Sequence, residues 1–154
     1  MPDWTTHILF ALILCEAFRL KPKSLVCLGA IVPDILLKSL TPLSSLGLDS
    51  SVLYKAFTPF HTPIGSVLVA IGISTFIEIP IIRSTVLMII GIASHFFLDI
   101  FQAHGVFGET MVLFPLSWKN YEIGWLSINH FYYFLAPMLV LYVTIIYAKR
   151  FRKH

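Results

Sequence analysis

Charge is what this chain has least of. Of its 154 residues only 12% are Asp, Glu, Lys or Arg, about half the share of a soluble domain. Too few polar groups remain to clothe a surface facing water, which excludes an ordinary soluble fold; lipid removes that need. Cysteine is scarce as well. Cys15 and Cys27 lie in apolar runs without CxxC spacing, so they read as small buried apolar residues and not as a metal or redox motif. The N-terminus, Met1-Pro2-Asp3-Trp4, lacks a basic n-region, so the first apolar run is expected to be retained and not cleaved as a signal peptide. There is no internal repeat and no low-complexity tract. Acidic residues number 8 against 11 Lys and Arg, a net charge of +3. This small surplus does not describe a nucleic-acid face, because four of the basic residues crowd into the tail 149–153, where they act as topology signals.

What is present is apolar: 57% hydrophobic residues, 14% aromatics and a mean hydropathy of +0.84. A membrane span needs about 20 apolar residues. Five candidates run from about Trp4 to Leu20, Leu25 to Leu40, Thr62 to Ile82, Thr85 to His104 and Ile128 to Ala148. The second is short and contains Pro33, which predicts a kinked or re-entrant helix. The expected fold is all-α: one polytopic transmembrane bundle of about five helices, with residues 1–154 as a single domain. Residues 41–61 and 105–127 are expected as the longer loops. With five spans, Lys21, Lys23, Arg83 and the basic tail fall on one side, which the positive-inside rule makes cytoplasmic. The N-terminus is then outside and the C-terminus cytoplasmic.

Ionisable residues within the spans are the next signal. An Asp at the centre of a span costs roughly 3 kcal/mol to insert, so such residues are functional candidates. The set is His7, Glu16, Asp34, Glu78, His95 and Asp99, with His61, His104 and His130 at span edges. The five-span topology puts His7, Asp34, His61, His95, Asp99, His104 and His130 in the outer half, although no histidine was used to set it. His95 and Asp99 are i and i+4, on one helix face, a spacing that suits two ligands of one cation. Glu16 is expected to pair at the interface with Arg19 or Lys21, and Glu78 with Arg83. His61, after the loop Phe57-Thr-Pro-Phe-His61, is also placed to cap a helix start. His104 and His130 read as interfacial residues.

The order of these elements is familiar. A His near the N-terminus is followed by Gly29-Ala-Ile-Val-Pro-Asp34, His61-Thr-Pro-Ile-Gly-Ser66, Gly91-Ile-Ala-Ser-His-Phe-Phe-Leu-Asp99, Gly105 and Phe114-Pro115. From His7 to Pro115 the chain resembles the membrane-bound metal-dependent hydrolases of the YdjM type. A more distant similarity to helical zinc-dependent phospholipases C lies in the His/Asp order. The resemblance implies His7, Asp34, His61, His95 and Asp99 as metal-site residues. Many relatives carry two histidines in the third motif; here Ala56 stands five positions before His61, which leaves open whether one or two ions bind.

Mixed imidazole and carboxylate donors suit Zn²⁺, with Mn²⁺ or Fe²⁺ as alternatives. Such an ion activates water near neutral pH, and Asp34 or Asp99 can serve as general base. A site in the outer half of the bilayer points to a membrane lipid or lipid-linked substrate, cleaved at an ester or phosphoester. Residues 105–127, with Trp118, Tyr121 and Trp125, can lie over the site as a lid or act as an aromatic anchor. Two other classes use the same cluster: a divalent-cation or proton transporter, and a structural protein with a metal staple.

Overall fold

The computed structural model describes residues 4–38, 49–101, 111–125 and 132–151. Their regular structure is entirely helical. Helix α1 spans Trp4–Phe18, α2 Lys23–Lys38, α3 Ser50–Phe57, α4 Pro63–Ser74, α5 Ile81–Phe101 and α6 Tyr132–Phe151, with a 3-10 turn at Thr58–His61 between α3 and α4.

The expected and observed boundaries differ in instructive places. Helix α1 stops at Phe18 because Arg19 adopts a left-handed conformation, φ 56°. The Leu20 amide then closes back onto the Cys15 carbonyl at 3.0 Å, a Schellman closure. The third expected span, Thr62 to Ile82, is not one straight helix. Helix α4 ends at Ser74, where the Thr75 amide and hydroxyl both turn back to the Gly72 carbonyl. Pro80 then precedes α5, which starts four residues before the expected Thr85, as proline favours at a helix start. Residues Lys55–His61 and Pro63–Ser74 together form a pair bent by 78°. The expected loop 41–61 contains α3. Of the expected loop 105–127, residues 111–125 form turns and irregular chain without a helix. His104 and His130 lie outside the described residues.

Helices α5 and α6 are each long and apolar enough to cross a membrane, and the bent pair makes a third candidate span. Helix α1, with 15 residues, is about 22 Å long, shorter than a hydrocarbon core of roughly 30 Å.

The most extensive helix contacts form a row. Helix α6 packs on α1, α1 on α2, α2 on α5, and α5 on α4. The α2–α5 contact is the tightest. A Cβ on Gly29 would sit 2.1 Å from the Met88 carbonyl oxygen, and one on Gly91 2.0 Å from that of Val26. Small residues let two backbones touch, a common packing device where lipid gives no hydrophobic force between helices. The core around them is Ala11, Cys15, Val26, Ala30, Met88 and Ile92. Helix α6 touches α1 alone among these elements, and its apolar residues face outward: Val140 is 66% exposed and Val143 56%. In water that surface would be an aggregation hazard; in lipid it is ordinary.

Candidate metal centre

Segments far apart in the sequence become one cluster through helix direction. Val26, Ala30 and Asp34 recur every four residues on α2, and Gly91, His95 and Asp99 recur every four on α5, so each trio lies on one helix face. The glycine contacts hold these faces together and run in register, Val26 and Ala30 against Gly91, Ala30 against His95. Helices α2 and α5 therefore point the same way, and their far ends carry Asp34 and Asp99. Helix α1 runs against them and brings His7 from its first turns to the same end.

His61 arrives on the bend before α4. Thr62 caps that helix, its hydroxyl accepting from the Gly65 amide at 3.1 Å and donating to the Pro59 carbonyl at 2.6 Å. Ser66 donates to the Phe60 carbonyl at 2.9 Å. A Cβ on Gly65 would lie 2.0 Å from the Pro59 oxygen. The capping residue is thus Thr62, not His61, which leaves the imidazole free to turn inward.

All five residues meet there, and all are buried, with exposures of 0–1%. The His95 Nδ1 is 2.8 Å from the Ala30 carbonyl oxygen. A carbonyl can only accept, so Nδ1 carries the proton and Nε2 is the nitrogen left to hold a metal. Nε2 faces Asp99 Oδ2 at 3.1 Å and His61 Nε2 at 3.4 Å. The third edge, His61 Nε2 to Asp99 Oδ2, is 3.5 Å. Donor atoms at about 2.0–2.1 Å from a tetrahedral ion stand roughly 3.3–3.4 Å apart, so this triangle has the size of one ion's ligand face. Asp34 Oδ1 approaches the two imidazole nitrogens at 3.6 and 3.9 Å. His7 stacks on the His95 ring at 4.0 Å between centroids, with Nε2 3.5 Å from Asp99 Oδ1.

Imidazole nitrogens and carboxylate oxygens therefore converge. Both ring nitrogens of His7 and Oδ1 of Asp34 are buried without a hydrogen bond among the described residues. Uncompensated polar burial of this kind costs roughly 1–3 kcal/mol per group, and a cation at the centre relieves it. Two groups, His7–His95–Asp99 and Asp34–His61–His95, have donor atoms within 4.8 Å of one another and could each hold a metal ion. They share His95, whose single available lone pair serves one ion at a time.

Sequence reasoning passed over two members of this assembly. One is the Ala30 carbonyl, which only the fold could reveal. The other is Lys38, whose ammonium bonds Asp34 Oδ2 from one turn further along α2 and lies 5.2 Å from the Trp4 ring centroid. Its i+4 spacing from Asp34 was a legible signal.

Two expected ion pairs are redrawn. Glu16 binds neither Arg19 nor Lys21. Its carboxylate takes Lys23 from α2 and Lys149 from α6, because the left-handed turn at Arg19 ends the helix and α2 folds back alongside. Among the described residues Glu78 is exposed and has no ion pair with Arg83; the Arg83 guanidinium donates instead to the Lys21 carbonyl at 3.3 Å. Lys21, Lys23, Arg83 and Lys149 thus gather at the end opposite the His/Asp cluster.

No curated protein and no solved structure matches the chain, and a similarity to phospholipases C is not shown. The family model described as YdjM inner membrane protein matches residues 1–154. The chain therefore belongs to the YdjM family of inner membrane proteins.

Proposed function

We propose that this membrane protein is a metal-dependent hydrolase acting on an ester or phosphoester of a lipid or lipid-linked substrate near the outer leaflet. The observation that carries this reading is the buried triangle of His61 Nε2, His95 Nε2 and Asp99 Oδ2, with edges of 3.1–3.5 Å, flanked by a further carboxylate. A bound divalent ion, Zn²⁺ by its donor set with Mn²⁺ or Fe²⁺ as alternatives, supplies a Lewis acid and a water of lowered pKa. His61, His95 and Asp99 would hold the ion. The Ala30 carbonyl fixes the His95 tautomer, as outer partners of metal-bound histidines do. His7 stands on the other side of Asp99, with Nε2 3.5 Å from Oδ1. Asp34 Oδ1 is the general base, taking the proton of water while Oδ2 stays on Lys38.

The same reading includes a multi-pass topology of about five spans, with the N-terminus outside and the C-terminus cytoplasmic. The gathering of Lys21, Lys23, Arg83 and Lys149 at one end supports it. The cluster then lies at the outer end, beside residues 111–125. The Ile123 amide there bonds the Ile100 carbonyl at 2.7 Å, and Trp118 and Trp125 are exposed, as expected of an aromatic belt at head-group level. A transporter would need a polar route onward, and Glu16, the carboxylate at the opposite end, is engaged by two lysines. A metal staple is the second reading, favoured by the full burial of the five side chains.

Metal analysis and a panel of ester and phosphoester lipids test the proposal. Purified protein should carry a divalent metal and turn over at least one lipid class, and Asp34→Asn should abolish turnover while retaining metal. Bound metal without turnover on any lipid would establish the staple instead.

A further inference from the structure

Lys38 is the charged group that links the buried cluster to the surface. Its side chain is 34% exposed while that of its partner Asp34 is 0% exposed. The Trp4 ring, itself 42% exposed, stands 5.2 Å from the ammonium and holds it by a cation–π contact. The ammonium is therefore partly open to an approaching anion, whereas the carboxylate it bonds is not.

Charge counting says what this group is for. Asp34 and Asp99 bring two negative charges, and neutral imidazoles bring none. One divalent ion cancels the pair, and Lys38 then leaves a surplus of one positive charge at the outward side. A carboxylic ester has no net charge to meet that surplus. A phosphoester does, on its non-bridging oxygens, and lysine is a common phosphate ligand acting as a point charge. We propose that Lys38 is an anion-recognition residue of this centre and that the substrate is a phosphoester. The proposal rests on the metal-centre reading above and narrows its substrate class. Asp34 keeps Lys38 poised while the site is empty of substrate, and a non-bridging phosphate oxygen becomes a second acceptor for the same ammonium, whose three donors allow both contacts.

The test uses full-length protein loaded with Co²⁺, whose visible spectrum reports ligation. Inorganic phosphate is titrated first, then phosphatidylcholine vesicles doped with phosphatidic acid. Wild type should take up Co²⁺ and show a saturable spectral change with phosphate. Lys38→Met should take up Co²⁺ as well but bind phosphate about tenfold more weakly, the loss of one charge-assisted contact, and Lys38→Arg should recover most of the affinity. A response to the doped vesicles that exceeds the response to free phosphate marks a lipid headgroup as the source; the reverse order marks a soluble phosphoester. Equal phosphate affinity with and without Lys38, in proteins that both hold Co²⁺, overturns the role of Lys38 alone. Wild type that takes up no Co²⁺ overturns the metal centre and this proposal with it.

Discussion

The two ends of the helix row solve the same problem in opposite ways. At one end a carboxylate, Glu16, is met by two ammonium groups, Lys23 and Lys149, from two other helices. At the other, two carboxylates and three imidazoles face one another, with a single lysine bonded to Asp34. The first end satisfies itself. Its lysine side chains are 40% and 37% exposed, so water shares the cost of the charges. The second buries both carboxylates and all three imidazoles, and among the described residues neither ring nitrogen of His7 nor Oδ1 of Asp34 has a hydrogen bond. Polar residues in lipid are thus not one category: a balanced set staples helices, and an unbalanced set asks for a cation.

Substitutions can break or sharpen that contrast. The largest effect belongs to His95, which is common to both candidate ligand groups. His95→Ala should eliminate stoichiometric metal and lipid turnover, by elemental analysis and activity of the same preparation; one retained equivalent of metal would sink the assignment. Gly91→Ala comes next, since its Cβ would fall 2.0 Å from the Val26 oxygen and force α2 and α5 apart. Overpacking of this sort costs about 1–3 kcal/mol, and it should lower the thermal midpoint in detergent and the metal content together. His7→Ala removes an outer support, so metal should still bind but with an affinity about 10–100-fold lower, read by competition with a chelator. Glu16→Gln should have the smallest effect, about 1 kcal/mol of stability, with metal content unchanged. A loss of metal in that variant would erase the distinction between the two ends.

Much of the site was legible before any fold was known, and for a physical reason. A carboxylate or imidazole inside an apolar run is expensive wherever it sits, so His7, Asp34, His95 and Asp99 stood out without coordinates. The i, i+4 spacing of His95 and Asp99 carried their shared face as well. Misjudged features were those that depend on a partner distant in sequence. Glu16 has Arg19 and Lys21 nearby along the chain, yet takes Lys149, 133 residues away. The third apolar run looked continuous by composition, but hydropathy does not register Thr75 bonding its own helix or the bend at His61.

By its sequence alone this chain was marked as helical and apolar outside, because its long apolar runs and few charges suit helices in lipid, which satisfy their own backbone. Its ionisable residues were likewise marked as costly and therefore purposeful. What only the tertiary structure decided is which of them meet. Gly29 and Gly91 let α2 and α5 touch, and that contact delivers the Ala30 carbonyl to His95 Nδ1. The bend capped by Thr62 turns His61 inward, and Lys38 folds back onto Asp34. Those are matters of distance between segments far apart in the chain, and distance is set by packing, which no local pattern records.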